Sequence, residues 1–419
     1  MGVSSYRGAV VCLLYLLGTV LSKDGAATGE DHAEVDLKEH AKHYYSERQG
    51  EYEENSSTKS ESDGKRKSSR TDFDGPRLVR LHGGQVGDVQ EIQLGPDLVR
   101  SLRTVNLKPL IFEIQDFFTP DECQHIIDLA KEAGLEASST HQITNDNNFR
   151  LLDSDGDEKL SLHEMIRTIE DGFDVYLDED DVKEMYFHLQ LDSNHDDFIS
   201  KEEMSRLSLK QLMTYIKNLV ASNPIKKSRF SEQAWIYPDK TKDAMVADFQ
   251  QRLVKLTQLP EPLIQKFSFF QVVRYGPHGH YNAHLDSGDS IGSLPCCHLT
   301  KHKRCSICRF MTIMVYLNDV EEGGETAFIV ANNDTFDDVD LRESGHINLN
   351  NYCRESNLRI RPERGKAVIW YNHFVDEATG WMGQVDHYTW HGGCPVIRGE
   401  KWIMNRWISA SKDPEVDLA

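Results

Sequence analysis

The sequence predicts an α+β chain, an antiparallel β-sandwich or barrel interrupted by an acidic helical segment. Two observations carry the prediction. Short apolar runs at residues 267–275, 310–317, 367–371 and 402–408 are separated by Gly, Pro and Asn turns, the pattern of several strands assembled into one sandwich or barrel. Between residues 141 and 223 the chain is instead helical, acidic and rich in short Asp clusters. A strand and a helix already precede that stretch, so a β-fold begins twice. The 419 residues set a soft prior of two to three domains at ~150 residues each. Acidic residues outnumber basic ones, 68 to 47, for a formal charge of −21. That balance speaks against a general nucleic-acid binder, which needs a basic face to neutralise phosphates. A hydrophobic share of 39% supports a packed core and excludes wholesale disorder.

In chain order, residues 8–21 form an apolar run with Arg7 before it and Ser22-Lys23-Asp24 after it. The run falls short of the ~20 residues that span a bilayer. One positive charge, a short apolar core and small residues behind it are marks of a secretory signal. Residues 1–22 are therefore a signal peptide or a signal-anchor that serves as a single-pass membrane anchor. Either delivers the rest of the chain to the secretory pathway, where disulfides persist. Two glycosylation sequons, Asn55-Ser56-Ser57 and Asn333-Asp334-Thr335, fit that compartment. Residues 23–104 read as an acidic polar tail, largely disordered. Leu110-Ile111-Phe112-Glu113-Ile114 reads as a strand. Thr119 then caps a helix, with Pro120 at its first position and Glu122 completing a capping box. Cys123, Ile126, Ile127 and Ala130 follow at helical spacing.

Within the acidic segment, Asp153-Ser154-Asp155-Gly156-Asp157-Glu158-Lys159-Leu160-Ser161-Leu162-His163-Glu164 matches a calcium-binding EF-hand loop. Asp153, Asp155, Asp157, Ser161 and Glu164 take loop positions 1, 3, 5, 9 and 12, where oxygen ligands are required. Asp192, Asn194, Asp196, Ser200 and Glu203 take the same positions in a second loop. Leu160 and Ile199 occupy position 8, through which paired loops bridge by a short strand. Position 6, usually Gly because the backbone turns sharply there, holds Glu158 and Asp197. Asp tolerates the left-handed conformation better than Glu, so the first loop is expected to be the weaker binder. The bland alternative is a degenerate pair that folds without metal.

His284-Leu285-Asp286 is expected on a strand, where residues two apart point to one face. By itself a His-x-Asp pair is weak, and His195-Asp196-Asp197 inside the second calcium loop is another. His391 supplies a third ligand, and Lys401 follows it. Two His and one carboxylate with open positions form the facial triad of non-heme Fe(II) oxygenases. A buried cation beside the metal is what a dicarboxylate cosubstrate requires at its far end. Zinc hydrolysis is the rival use of the same three ligands, and it leaves Lys401 without a role.

The same residues resemble the 2-oxoglutarate- and Fe(II)-dependent dioxygenases, specifically the prolyl 4-hydroxylases. Residues 111–130 are similar to the opening strand and helix of that catalytic domain. Tyr275-Gly276-Pro277 with Tyr281-Asn282-Ala283-His284-Leu285-Asp286 resembles its metal-binding stretch. Arg309-Phe310-Met311-Thr312, Tyr316-Leu317-Asn318 and Gly323-Gly324-Glu325-Thr326 look like its central motifs, and Lys401-Trp402 with Trp407 its final strand. The interrupting EF-hand pair resembles an endoplasmic-reticulum branch of the family. The resemblance implies a double-stranded β-helix (jelly-roll) split into residues 105–140 and 224–411, with an α-helical EF-hand pair at 141–223.

It further implies that His284, Asp286 and His391 hold Fe(II), and that Lys401, Tyr275 and Thr326 bind 2-oxoglutarate. Tyr281, Arg309 and Trp407 would line the peptide groove, although each also has an ordinary reading as a strand aromatic, a surface charge or a core residue. O2 is the co-reactant, L-ascorbate would rescue oxidised iron, and Ca(II) would occupy the loops. The implied partner is a proline-containing peptide or protein, with hypoxia-inducible factor α proposed for this branch; a lumenal active site sits awkwardly with a cytosolic factor. Two alternatives stay open: a calcium-binding lumenal protein with an inactive oxygenase fold, and a dioxygenase acting on another residue such as lysine. Insertions between the two His ligands fall near residues 287–308 and 332–357. Cys296, Cys297, Cys305 and Cys308 in the first suit one or two disulfides in an oxidising lumen, or tetrahedral zinc.

Overall fold

The computed structural model describes residues 77–138, 152–153, 155–173, 175–266, 269–288, 294–300 and 305–419. The apolar run at 8–21 and the sequon at Asn55 lie outside the described residues. No helix among the described residues is long and apolar enough to cross a membrane.

The polar composition predicts a tail reaching residue 104, and here the structure differs. Val89–Gly95 and Leu98–Leu107 form an antiparallel hairpin whose second strand pairs with Leu110–Ile114. Apolar residues are few and irregularly spaced in the hairpin, and the buried face itself includes Thr104 and Asn106, so the average is polar. Yet Leu94 and Leu102 are fully buried, the one-sided pattern of a strand with one face on a core.

This hairpin edges a sheet of nine strands. In order they are Val89–Gly95, Leu98–Leu107, Leu110–Ile114, Ala367–Tyr371, Arg309–Tyr316, Lys401–Ser409, Phe270–Tyr275, Glu232–Ile236 and Glu136–Ala137. Its central strands are buried almost throughout because both faces are covered. Phe112, Val272, Ile313, Ile369 and Met404 join one core with the helices Pro120–Ala133 and Ala244–Thr257. The alternate residues Ile111, Val273, Met314, Trp370 and Ile403 join another. That second core also takes Phe328 and Ile360 from a smaller sheet, ordered Leu358–Ile360, Thr326–Phe328, His391–Gly393, His280–His284 and Arg229–Phe230. The first helix has the expected capping box, with Thr119 accepting from the Glu122 amide and Glu122 from the Thr119 amide.

Between the two β-parts run the helices Leu162–Phe173, Glu179–Leu189 and Leu209–Ser222. They enclose their own core around Met165, Ile169, Val182, Met185 and Ile216. Lys159–Leu160 and Ile199–Ser200 form a two-residue ladder with Leu160 opposite Ile199. Three disulfides, Cys296–Cys308, Cys297–Cys305 and Cys353–Cys394, staple the two insertions, and Cys123 is a buried free thiol. The third bridge is not legible in the spacing of the cysteines.

Candidate active site

The His280–His284 strand lies antiparallel to His391–Gly393, with His284 directly opposite His391. Sequence spacing places His284 and Asp286 on one strand face. In the structure the strand ends at His284, its register is irregular after Tyr281, and Asp286 arrives on the bend that follows. The carboxylate still converges. Asp286 Oδ1 lies 3.8 Å from His284 Nε2, Asp286 Oδ2 lies 3.6 Å from His391 Nε2, and the imidazole centroids are 4.6 Å apart.

Each imidazole is oriented by its other nitrogen. His284 Nδ1 is 2.9 Å from the Asn282 carbonyl and His391 Nδ1 is 2.7 Å from the Thr389 carbonyl. A carbonyl only accepts, so both Nδ1 atoms carry the proton and both Nε2 lone pairs face Asp286, the tautomer a metal ligand needs. Burial, then the neighbouring His391, pushes His284 down to about 3, which keeps it neutral. Burial would raise the Asp286 carboxyl, but His391, Arg309, His284 and the Thr312 hydroxyl outweigh it and hold it below the usual range. Thr312 donates to Asp286 Oδ2 at 2.7 Å and accepts from Asn372 Nδ2 at 2.9 Å. Two nitrogens and an ionised oxygen with their outer partners in place fit Fe(II).

Lys401 sits opposite Tyr275 on the adjoining strands and is 2% exposed. Its ammonium lies 5.3 Å and 5.6 Å from the ring centroids of Tyr275 and Tyr316. No hydrogen bond or ion pair reaches it among the described residues. Burial pushes its pKa down to about 7, against a raising influence from Glu325. A Cβ on Gly393 would stand 3.6 Å from Nζ, in van der Waals contact with it. A desolvated cation without a partner among the described residues fits the far carboxylate of 2-oxoglutarate.

Thr326 is buried close by, but its hydroxyl already accepts from Tyr316 at 2.6 Å. The Tyr275 hydroxyl bonds to Arg229. Tyr281 stacks on His284 at 3.8 Å between ring centroids, with the Arg229 guanidinium 4.6 Å from the Tyr281 centroid. Arg309 lies 3.6 Å from Asp286 Oδ1 and 3.8 Å over the Trp407 ring. Among the described residues, the buried Trp407 Nε1 has no hydrogen-bond partner. Sequence reasoning misses Arg229, Thr312, Tyr316 and Asn372. Thr312 sits inside a recognisable motif, whereas Arg229 carries no signal in its polar surroundings.

The two acidic loops fold alike. Asp153 accepts from the amides of Gly156, Asp157 and Glu158, and Asp192 from those of His195, Asp196 and Asp197. Glu158 and Asp197 both adopt the left-handed conformation, at φ 68° and 63°. Asp155 and Asp196 each accept from an amide two residues on, while Asp157 accepts from the Lys159 amide and Asn194 from the Asp196 amide. Ser161 and Ser200 bond to Glu164 and Glu203. Carboxylate oxygens of Asp153, Asp155 and Glu164 lie within 4.8 Å of one another.

Residues 270–409 match the 2OG-Fe(II) oxygenase superfamily. Human transmembrane prolyl 4-hydroxylase is 38% identical over 79% of this chain and 70% of its own length. The mouse protein of that name is 36% identical over 79% and 69%. A viral collagen prolyl hydroxylase from Paramecium bursaria Chlorella virus-1 is 25% identical over 49% of this chain and 92% of its own, at a TM-score of 0.30. With its antiparallel sheets and the two long relatives, the chain belongs to the transmembrane prolyl 4-hydroxylase family and is a 2-oxoglutarate-dependent dioxygenase that uses Fe(II) and O2.

Proposed function

We propose that the chain 4-hydroxylates peptidyl proline, with His284, Asp286 and His391 holding Fe(II) and Lys401 anchoring 2-oxoglutarate. The observation that carries this reading is the pairing of three convergent ligands with one buried ammonium that no side chain among the described residues neutralises. When bound, iron and 2-oxoglutarate supply O2 activation, with decarboxylation to succinate and oxygen insertion into a C–H bond. The chain's own residues orient and exclude water. Thr312 and Arg309 fix the Asp286 carboxylate. Tyr316 orders the Thr326 hydroxyl, and Tyr275 walls the ammonium from solvent. Tyr281, Arg309 and the free Trp407 indole N–H line the approach, where they grip the backbone carbonyls and ring of the substrate proline. L-Ascorbate would keep the bound iron ferrous.

The helical insert is proposed as an EF-hand pair binding Ca(II) through Asp153, Asp155, Asp157, Ser161 and Glu164, and through Asp192, Asn194, Asp196, Ser200 and Glu203. The jelly-roll would then be split around it. The apolar run at 8–21, three disulfides and the Asn333 sequon support a lumenal, endoplasmic-reticulum setting with secretory-pathway substrates rather than a cytosolic factor. Mass spectrometry of a proline-peptide library should find 4-hydroxyproline matched by succinate, with both lost in His391→Ala. Hydroxylation of lysine instead, or succinate from no peptide, would sink the reading.

A further inference from the structure

Of the three iron ligands, Asp286 alone lies outside a strand. His284 and His391 stand directly opposite each other on paired strands, whereas Asp286 follows on a bend beyond the end of its own. A metal site nonetheless needs its carboxylate held to within ~0.5 Å. The dipeptide Asn372-His373 reaches that bend by two routes. Both residues follow directly on the apolar strand Ala367–Tyr371, and both are 1% exposed. Buried polar groups of this kind need partners, and these find theirs around Asp286. By the first route Asn372 Nδ2 donates to Thr312, and Thr312 to Asp286 Oδ2. By the second, His373 Nε2 lies 2.7 Å from the hydroxyl of Ser287, the residue after Asp286, while His373 Nδ1 lies 3.0 Å from the Gly383 carbonyl. The Ser287 hydroxyl also accepts from the Arg309 amide at 3.0 Å and stands 2.8 Å from the Ile307 carbonyl. Arg309 returns to the same place, its Nη1 3.4 Å from the Asp286 carbonyl.

A serine hydroxyl has one proton and two lone pairs. One lone pair of Ser287 takes the Arg309 amide. A carbonyl only accepts, so His373 Nδ1 carries a proton toward Gly383. A neutral His373 then accepts the Ser287 proton at Nε2. An imidazolium donates to Ser287 instead, and Ser287 passes its own proton to Ile307. The link between imidazole and hydroxyl holds in either state. We propose that His373 and Ser287 form a positioning strut for the iron site. His373 is fixed by the Gly383 carbonyl and by the pairing of its strand, His373–Val375, with Met382–Val385. It braces Ser287, and Ser287 sets where the Asp286 carboxylate and Arg309 stand. The dipeptide thus holds Asp286 at both ends, its side chain through Asn372 and Thr312, its main chain through His373 and Ser287. The same hydroxyl closes the neck of the 287–308 insertion by joining its first residue to Ile307 and Arg309. The inference rests on the reading of His284, Asp286 and His391 as Fe(II) ligands given above.

The test is anaerobic Fe(II) titration of the full chain by calorimetry, beside circular dichroism and thermal melting of the iron-free protein. Ser287→Ala and His373→Ala should each weaken Fe(II) binding by about 10–100-fold, the range for outer partners of metal ligands. The double variant should bind no more weakly than the singles, because each removes the same link. His373→Gln, whose carboxamide can still bond to Ser287, should recover most of the loss. Residues that served the fold alone would lower the melting temperature and leave the iron affinity of the folded protein unchanged. With Co(II) in place of Fe(II), the visible absorption bands follow ligand geometry. They should shift in Ser287→Ala and His373→Ala and stay in place in His373→Gln. Should His373→Ala fail to fold, Ser287→Ala, which removes a single oxygen, decides the matter. Unchanged Fe(II) affinity in folded Ser287→Ala, or losses that multiply in the double variant, overturns the strut. Binding that ignores Ser287 but is lost in His391→Ala refutes the strut and keeps the iron site. An unaltered chain that binds no Fe(II) refutes the ligand reading, and the strut with it.

Discussion

Lys401 is held in an environment that works against its own charge. Burial has moved its pKa to about 7, and a bound carboxylate must move it back up. Binding of 2-oxoglutarate then takes up a proton. Affinity is full below the free-state pKa and falls by up to about tenfold per unit as pH rises above it, until the raised pKa of the complex is reached. Titrating the cosubstrate anaerobically across about pH 6–9 should show that decline, and Lys401→Ala should abolish it while weakening binding by about 10–100-fold, the worth of a charge-assisted bond. A pH-independent affinity would remove Lys401 from the cosubstrate. Thr312 makes a separate claim. Thr312→Val keeps the shape of the strand and deletes the hydroxyl that fixes Asp286, so Fe(II) affinity should drop about 10–100-fold with the fold intact, as read by metal titration beside circular dichroism. The contrast between these two residues explains what sequence reveals. A lysine downstream of two histidines and a carboxylate has few chemical uses and can be read directly. A threonine or asparagine in a strand has many, and the roles of Thr312 and Asn372 exist only because distant strands set them side by side.

At the level of elements, local signals are legible and non-local ones are not. The helix Pro120–Ala133 is readable to its first residue because cap, proline and capping box are neighbours in sequence. The hairpin at residues 89–107 is not, because its stability comes from pairing with Leu110–Ile114 and burial of Leu94 and Leu102. The bend that delivers Asp286 is hidden for the same reason, since it depends on how His284 meets His391. The acidic loops are an intermediate case. Glu158 is expected to disfavour the turn at position 6, yet it takes up φ 68°, as Asp197 does at 63°. The turn is therefore made at a cost of about 1–2 kcal/mol for a left-handed residue with a Cβ. Glu158→Gly relieves that strain, although it also loosens the unfolded chain. The net expectation is a gain near 1 kcal/mol in calcium affinity, about fivefold, measured by calorimetric titration. Weaker binding in that variant would mean that the Glu158 side chain itself supports the loop.

Across the whole molecule, the two histidine-bearing strands are bolted together by a segment far from either in sequence. Ala283 donates to the Ile347 carbonyl, the Leu349 amide to Asn282 Oδ1, and the Trp390 indole to Asp338 Oδ1 at 2.9 Å. Asp338 is held below the carboxylate range because the His387 and Trp390 bonds outweigh the raising effect of its burial. Cys353–Cys394 then ties this segment to the strand of His391 across a separation of 41 residues. Closing a loop of that size removes about 4 kcal/mol of unfolded-chain entropy. The bridge thus does two things, stabilising the fold and fixing where the second imidazole stands. Replacing both cysteines with serine should lower the melting temperature by roughly 4–5 °C for a chain of this size. It should also weaken Fe(II) binding, since the ligand strand loses an anchor three residues past His391. Calorimetry on the iron-free protein isolates the first effect and anaerobic metal titration the second. A lowered melting temperature with unchanged iron affinity would show that the hydrogen bonds from Asp338, Ile347 and Asn282 position the ligands without the bridge. Two unchanged values would mean that the covalent link only duplicates what packing already secures.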